Sequence, residues 1–222
     1  MPVSRQQSEA ARQTPPAEER GPRARTRKLM LETASRLMQA GATPSVSEVA
    51  EASGVSRATA YRYFPSQAAL VESVVNEALG PILEWRSQSS DVETRVRDLF
   101  AVAMPRIQAY EATFKAALRL SLDQWAMRQA GIVDQEPRFT RGHRIDLLRD
   151  AVAPLRGVLP GGQADRLAQA LSLVFGVEVL VVLNDIWGLE PAETRAVADW
   201  AAKALVHAAC ADNNIKTGSE GA

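Results

Sequence analysis

The 222-residue sequence holds one cysteine, Cys210, so it can form no intrachain disulfide, and a reducing cytoplasm suits it. It has no long apolar run. The most hydrophobic window, residues 171–183, is interrupted by Glu178 and falls short of the ~20 residues a membrane-spanning helix needs. The opening MPVSRQQSEAARQTPPAEER has no apolar centre and does not read as a secretory signal. Neither histidine, His143 or His207, stands in a metal-ligand spacing, and no Cys/His cluster exists. The chain lacks a G-x-S-x-G nucleophile elbow, a G-x-x-x-x-G-K-[ST] phosphate loop and a G-x-G-x-x-G dinucleotide turn. We therefore expect no catalytic residues, no metal, no cofactor and no membrane partner.

Net charge is also lacking, but only as a sum. Residues 1–64 carry ten Lys/Arg against six Asp/Glu, a balance of +4, and the remainder carries −4. A basic amino-terminal third on an acidic body suits a DNA-reading head attached to something else. Hydrophobic residues make up 46% of the chain, enough for a buried core.

The most informative stretch is 45–64, SVSEVAEASGVSRATAYRYF. Ser45 and Glu48 stand at capping-box spacing, and Val46, Val49 and Ala50 recur on one helical face. Gly54 follows where a left-handed residue would end that helix. Ser56 can cap a second helix, with Val55 and Ala60 at hydrophobic-staple positions. Helix, tight turn and helix is the pattern of a helix-turn-helix, whose second helix enters the DNA major groove. Arg57, Thr59, Tyr61, Arg62 and Tyr63 would crowd donors onto that helix. A short helical hairpin with Tyr61 and Tyr63 as half-buried aromatics would share the pattern.

The wording is more specific than the pattern. Val49-Ala50-x-x-x-Gly54-Val55-Ser56-x-x-Thr59-x-Tyr61-x-Tyr63-Phe64-x-Ser66 lies in a run, 26–76, that closely resembles the DNA-binding domain of the TetR (tetracycline repressor) family. The resemblance implies an all-α protein: an N-terminal three-helix helix-turn-helix domain followed by a helical ligand-binding and dimerisation domain. It implies double-stranded DNA as partner, read by a homodimer at a near-palindromic operator. The DNA-contacting positions would be Ser45, Ser56, Arg57, Ala58, Thr59, Tyr61, Arg62, Tyr63 and Gln67. Arg57 and Thr59 are our candidates for base edges, and Tyr61, Tyr63, Ser45 and Gln67 for phosphates. The family often has Lys where this chain has Gln67.

Around the motif, residues 1–20 read as a disordered polar tail, 21–70 as the DNA-binding domain, 71–211 as the helical body and 212–222 as a flexible tail. Arg20, Arg23, Arg25, Arg27 and Lys28 form a basic cluster ahead of a first helix, 26–40, whose apolar face is Met30, Ala34, Leu37 and Met38. Gly80-Pro81 should end the helix that follows the motif. In the body, Ser90 and Glu93 suggest a second capping box. Tyr110, Phe114, Ala117, Ser121 and Trp125 trace one face, and Ile145, Leu148, Val152 and Leu155 another. The last two helices are expected over 164–187 and 191–210, the first apolar nearly all round.

In the resembling family the last two helices pair across a dimer as a four-helix bundle; here Val197, Ala201, Ala204, Leu205 and Ala208 would form that face. The family's body encloses a cavity for a small molecule whose binding releases DNA. The wall candidates are Tyr110, Phe114, Trp125 and His143, with Arg119 for an anionic ligand. A repressor is the family's usual form. An activator, or a helical small-molecule-binding protein without repressor function, are the alternatives.

Overall fold

A computed structural model describes residues 21–132, 137, 139 and 142–213. Of the tails expected at 1–20 and 212–222, residues 1–20, Arg20 among them, and 214–222 lie outside the described residues, while Asp212 and Asn213 form the turn that closes the last helix. Among those described there is no strand. The elements are α1 (Pro22–Gln39), α2 (Val46–Ser53), α3 (Arg57–Tyr63), α4 (Gln67–Leu79), α5 (Val92–Ala109), α6 (Glu111–Gln129), α7 (His143–Ala151), α8 (Gln163–Leu171), α9 (Val177–Leu180) and α10 (Pro191–Ala211). A 3₁₀ turn, Gly80–Glu84, follows α4, and a π-helical turn, Val181–Ile186, extends α9.

The first helix begins earlier than expected. Pro22 sits in its first turn, where the missing N–H is no loss, so Arg23, Arg25, Arg27 and Lys28 belong to the helix and not to an arm before it. Met30, Ala34 and Met38 are buried against α2 and α4. These residues join Val46, Val49, Ala50, Ala60, Phe64, Leu70, Val71 and Val74 in one apolar cluster. The same cluster takes in Ala116, Ala117 and Leu120 of α6, so the body supplies part of the floor on which the amino-terminal helices rest.

A second cluster fills the body, centred on Leu99, Phe100, Ala103, Met104, Leu148, Leu171, Leu180 and Val206. Helix α4 connects the two: Leu70, Val71 and Val74 lie in the first cluster and Ala78 in the second. Its carboxyl end stops at Gly80, whose φ of 45° no side-chain-bearing residue favours. The Arg106 guanidinium of α5 lies against Gly80 and donates to the carbonyls of Glu77, at 3.0 Å, and Ala78, satisfying acceptors that the helix end leaves free.

Three expectations for the body are corrected. Ser90 and Glu93 form no capping box: Asp91 caps α5, its carboxylate accepting the Thr94 N–H at 2.8 Å. The Glu93 carboxylate instead reaches α10, meeting Lys203 at 3.0 Å and His207 at 2.8 Å. The expected helix over 164–187 is broken between α8 and α9, because Gly176 adopts a φ of 111° and turns the chain; Leu173, in the break, is 77% exposed. Ile145 and Trp125, expected on inner faces, point to solvent, Trp125 with 56% of its surface exposed. Neighbours at the core positions of those helices are small or already filled: Ala116, Ala117 and Leu120 on α6, Leu147 and Leu148 on α7.

Arg95 is buried, a cation that helical spacing in the sequence does not mark. It donates to the carbonyls of Ala151, at 3.2 Å, and Asp150, at 2.7 Å, and so ties the end of α7 to α5.

Candidate nucleic-acid interface and the cavity behind it

The local chemistry of 45–66 sets the interface. The Ser45 hydroxyl accepts the Glu48 N–H at 3.2 Å while the Ser45 N–H donates to the Glu48 carboxylate at 2.7 Å, closing the expected capping box on α2. That backbone donation, with the hydroxyl behind it, holds the Glu48 carboxyl below its ordinary pKa. Gly54 takes φ 68° and ends α2, and the Val55 N–H returns to the Ala50 carbonyl at 2.9 Å. Ser56 caps α3 by accepting the Thr59 N–H at 3.3 Å, and its hydroxyl donates to the Thr59 hydroxyl at 3.0 Å.

Spacing along α3 then sorts its side chains. Ala60 and, just beyond, Phe64 are buried, and half-buried Tyr63 packs on the same cluster. Arg57, Ala58, Tyr61 and Arg62 stand on the opposite side, exposed, as i, i+4 pairs. The Tyr61 hydroxyl lies 3.3 Å from the Ser47 hydroxyl of α2, a partner that sequence reading missed. The Arg62 guanidinium lies over the Tyr63 ring at 5.7 Å, and Arg27 of α1 over the Phe64 ring at 5.5 Å. Gln67 is engaged elsewhere: its amide nitrogen donates to the carbonyls of Thr43 and Pro44, at 3.0 and 3.1 Å, bracing the loop before α2. The side chains brought together outward are thus Arg57, Ala58, Tyr61 and Arg62, with Ser56 and Thr59 at one end; Ser45, Tyr63 and Gln67 shape their support.

Behind the head, α4, α5, α6 and α7 enclose a cavity of about 80 Å³. Its walls are mostly apolar, among them Val75, Leu79, Ile107, Phe114, Leu147 and Phe175, with Glu72, Asn76, His143 and Arg144 as polar members. Of the five wall candidates, Phe114 and His143 line it. Tyr110 packs under Arg106 at 5.0 Å, Arg119 lies on an outer groove beside Thr43 and Gln67, and Trp125 faces solvent. A face read from every third or fourth residue of α6 could not tell which turns α4 and α7 cover. Asn76, missed, stands on the helix that joins head and body, and its Oδ1 accepts from His143 Nε2 at 2.7 Å.

Among the described residues, no group of three or more His, Cys, Asp or Glu side chains could hold a metal ion, and no helix is long and apolar enough to cross a membrane.

Comparison with known proteins agrees with this geometry. Residues 30–74, which span the core of α1 through most of α4, match the model of bacterial regulatory proteins of the tetR family. The fold is similar to that of a TetR transcriptional regulator from Rhodococcus sp. RHA1, at 21% identity and a TM-score of 0.54, over 86% of this chain and 97% of that one. It is likewise similar to a tetR-family transcriptional regulator from Streptomyces coelicolor, at 18% identity and a TM-score of 0.57, over 86% of this chain and 84% of that one. No curated protein matches the chain. The match to a tetR-family regulatory domain is therefore carried by residues 30–74, and over most of its length the chain shares the fold of these two regulators.

Proposed function

We propose that the protein is a homodimeric repressor that binds a near-palindromic operator through two copies of α3 and is released when a small molecule fills the cavity behind α4. The exposed row of Arg57, Ala58, Tyr61 and Arg62, held outward by buried Ala60 and Phe64, is the observation that carries this reading. Arg57 has the strongest claim to a base edge, because a guanidinium pairs bidentately with guanine and its side chain stands exposed on α3. The Thr59 hydroxyl is already met by Ser56, which favours it for a shorter reach. Tyr61 suits a phosphate beside the groove; Tyr63, packed on the head core, and Ser45 and Gln67, which set the start of α2, act by shaping the support.

One recognition helix covers few base pairs, so specific reading calls for a second copy. The carboxyl-terminal helices supply a surface for it. Ile186, Trp187 and Trp200 are each more than 70% exposed on the single chain, beside exposed Val182 and Val197. Of the alanines expected on this face, Ala204 and Ala208 are exposed and Ala201 is half-buried. So large an apolar surface favours burial against a partner.

Coupling to a ligand runs through α4, which lines the cavity with Glu72, Val75, Asn76 and Leu79 while its other face holds the head core. A switch from 99% DNA-competent to 1% requires the ligand to prefer the released state by roughly 10⁴-fold. Acting on DNA through such a switch places the protein in the cytoplasm.

Selection of duplexes from a random DNA pool at physiological salt tests the reading. We expect one inverted-repeat sequence, with Arg57→Ala relaxing one position in each half. Recovery of no motif would overturn specific recognition and leave the basic head as a general electrostatic surface.

A further inference from the structure

The cavity is too small by itself for a drug-sized ligand, which needs ~300 Å³ or more. It is not isolated, however. An outer groove of about 380 Å³, bounded by Leu83, Arg86, Asp146 and Asp150, shares His143 and Leu147 with the cavity as common walls. His143 and Asn76, both half-buried, are hydrogen-bonded to each other at 2.7 Å beside that shared wall.

We propose that His143 and Asn76 form a hydrogen-bonding neck between cavity and groove, and that the ligand class taken there is an uncharged, mainly apolar molecule carrying one hydroxyl group at the neck. The proposal rests on the ligand-release reading above and adds the chemistry of the ligand to it. Three features carry it. First, the inner walls offer apolar surface from Leu79, Ile107, Phe114 and Phe175, so the inner end of the ligand is hydrocarbon. Second, fixed charge of both signs borders the site. Glu72 opposes an anion, and Arg144 opposes a cation while being held by the Glu178 carboxylate and the Ser172 carbonyl, with Gly176 packed against its guanidinium. A charged ligand of either sign meets a like charge or must break that pair. Third, the neck asks for one donor and one acceptor together. Asn76 Oδ1 accepts and His143 Nε2–H donates, so a hydroxyl inserted between them satisfies both, whereas a hydrocarbon that enters the neck breaks their bond and replaces it with nothing.

The geometry also links binding to release. Asn76 belongs to α4 and His143 opens α7. A hydroxyl taking the place of their direct hydrogen bond separates α4 from α7 at the helix whose Leu70, Val71 and Val74 support the head.

Calorimetry on the full chain with toluene, benzyl alcohol, benzylamine and benzoate tests the assignment. Benzyl alcohol should bind at least ~10-fold more tightly than toluene, since toluene can occupy the neck only by breaking the Asn76–His143 bond without replacing it, and more tightly than either charged analogue. In Asn76→Leu and in His143→Phe, toluene binding should persist while the preference for the alcohol shrinks to about twofold or less, the bond that toluene must break having been removed along with one of the hydroxyl's partners. Toluene or a charged analogue winning in the unaltered chain, no binding of any of the four, or an unchanged preference in both variants would overturn the neck. If a variant does not fold, the ranking in the unaltered chain still decides. Release of the selected duplex, followed in parallel, separates the two readings. Alcohol binding that leaves DNA bound contradicts ligand release and upholds the neck; release indifferent to both substitutions does the reverse.

Discussion

The head and the body are held by different kinds of interaction. In the head, each short helix is started by a serine hydroxyl on a backbone amide: Ser45 for α2, Ser56 for α3 and Ser66 for α4. The information is local, within three or four residues. In the body, α5 starts on the Asp91 cap, but α6, α7, α8 and α9 have no side-chain cap and distant pairs hold those helices in place. Arg106 reaches the end of α4, Arg95 the end of α7, Glu93 joins α10, and Lys115 joins Asp185 at 2.6 Å. A surface that must present the same side chains every time benefits from local determination. The contacts between body helices, reaching across long stretches of sequence, are of the kind that the proposed shift around a filled cavity would exchange.

The comparison is sharpest where the regions share atoms. Phe64→Ala removes a ring at the centre of the head cluster and should cost about 3–5 kcal/mol, read by urea denaturation. Leu120→Ala lies in the body yet within the same cluster, and should cost about 2–5 kcal/mol while lowering protection of α1 and α4 amides in hydrogen exchange. Loss confined to α6 would mean that the head stands independently of the body.

Gly54→Ala tests the turn alone. No neighbour lies within 4 Å of the added methyl group, so the expected penalty of about 1–2 kcal/mol is conformational. A stabilising result would contradict the left-handed turn. The smallest effect is pH-linked and belongs to the capping box. Glu48 is lowered in the folded state by the Ser45 N–H and then by the Ser45 hydroxyl, so its contribution is fully present above its ordinary value of 4.5 and is lost as pH falls through the lowered value. Glu48 is solvent-exposed, so the effect is modest, and Glu48→Gln should flatten the acid limb of a stability–pH curve.

What could be read from the sequence follows the same division. The capping box at Ser45, the left-handed Gly54, the cap at Ser56 and the stop at Gly80 were all legible, because each depends on residues within a turn of one another. The Ser90–Glu93 box failed because Asp91 is one residue nearer the amides of α5 and Glu93 is claimed by Lys203 and His207, more than a hundred positions away. The 164–187 helix failed at Gly176 because continuous apolarity marks burial without marking direction. Trp125 and Arg119 were mistaken for wall residues because helical spacing names a face of α6 but not which neighbour covers it. Phe114 and His143 were legible as aromatic and polar residues on the middle helices, whereas Asn76 was hidden within a stripe of core residues on α4.

The central claim is that two heads, set by one dimer, read successive major grooves. The measurement closest to it is the distance between the paired heads. Glu51→Cys places a label on the exposed side of α2, outside the α3 row that meets DNA, and the chain's own Cys210 is buried. Electron–electron resonance on the labelled protein bound to its selected duplex should give one narrow inter-label distance, as two heads fixed a single DNA turn (about 34 Å) apart require. A bound complex with no inter-label distance, or with a broad spread of distances, would contradict a two-fold reader.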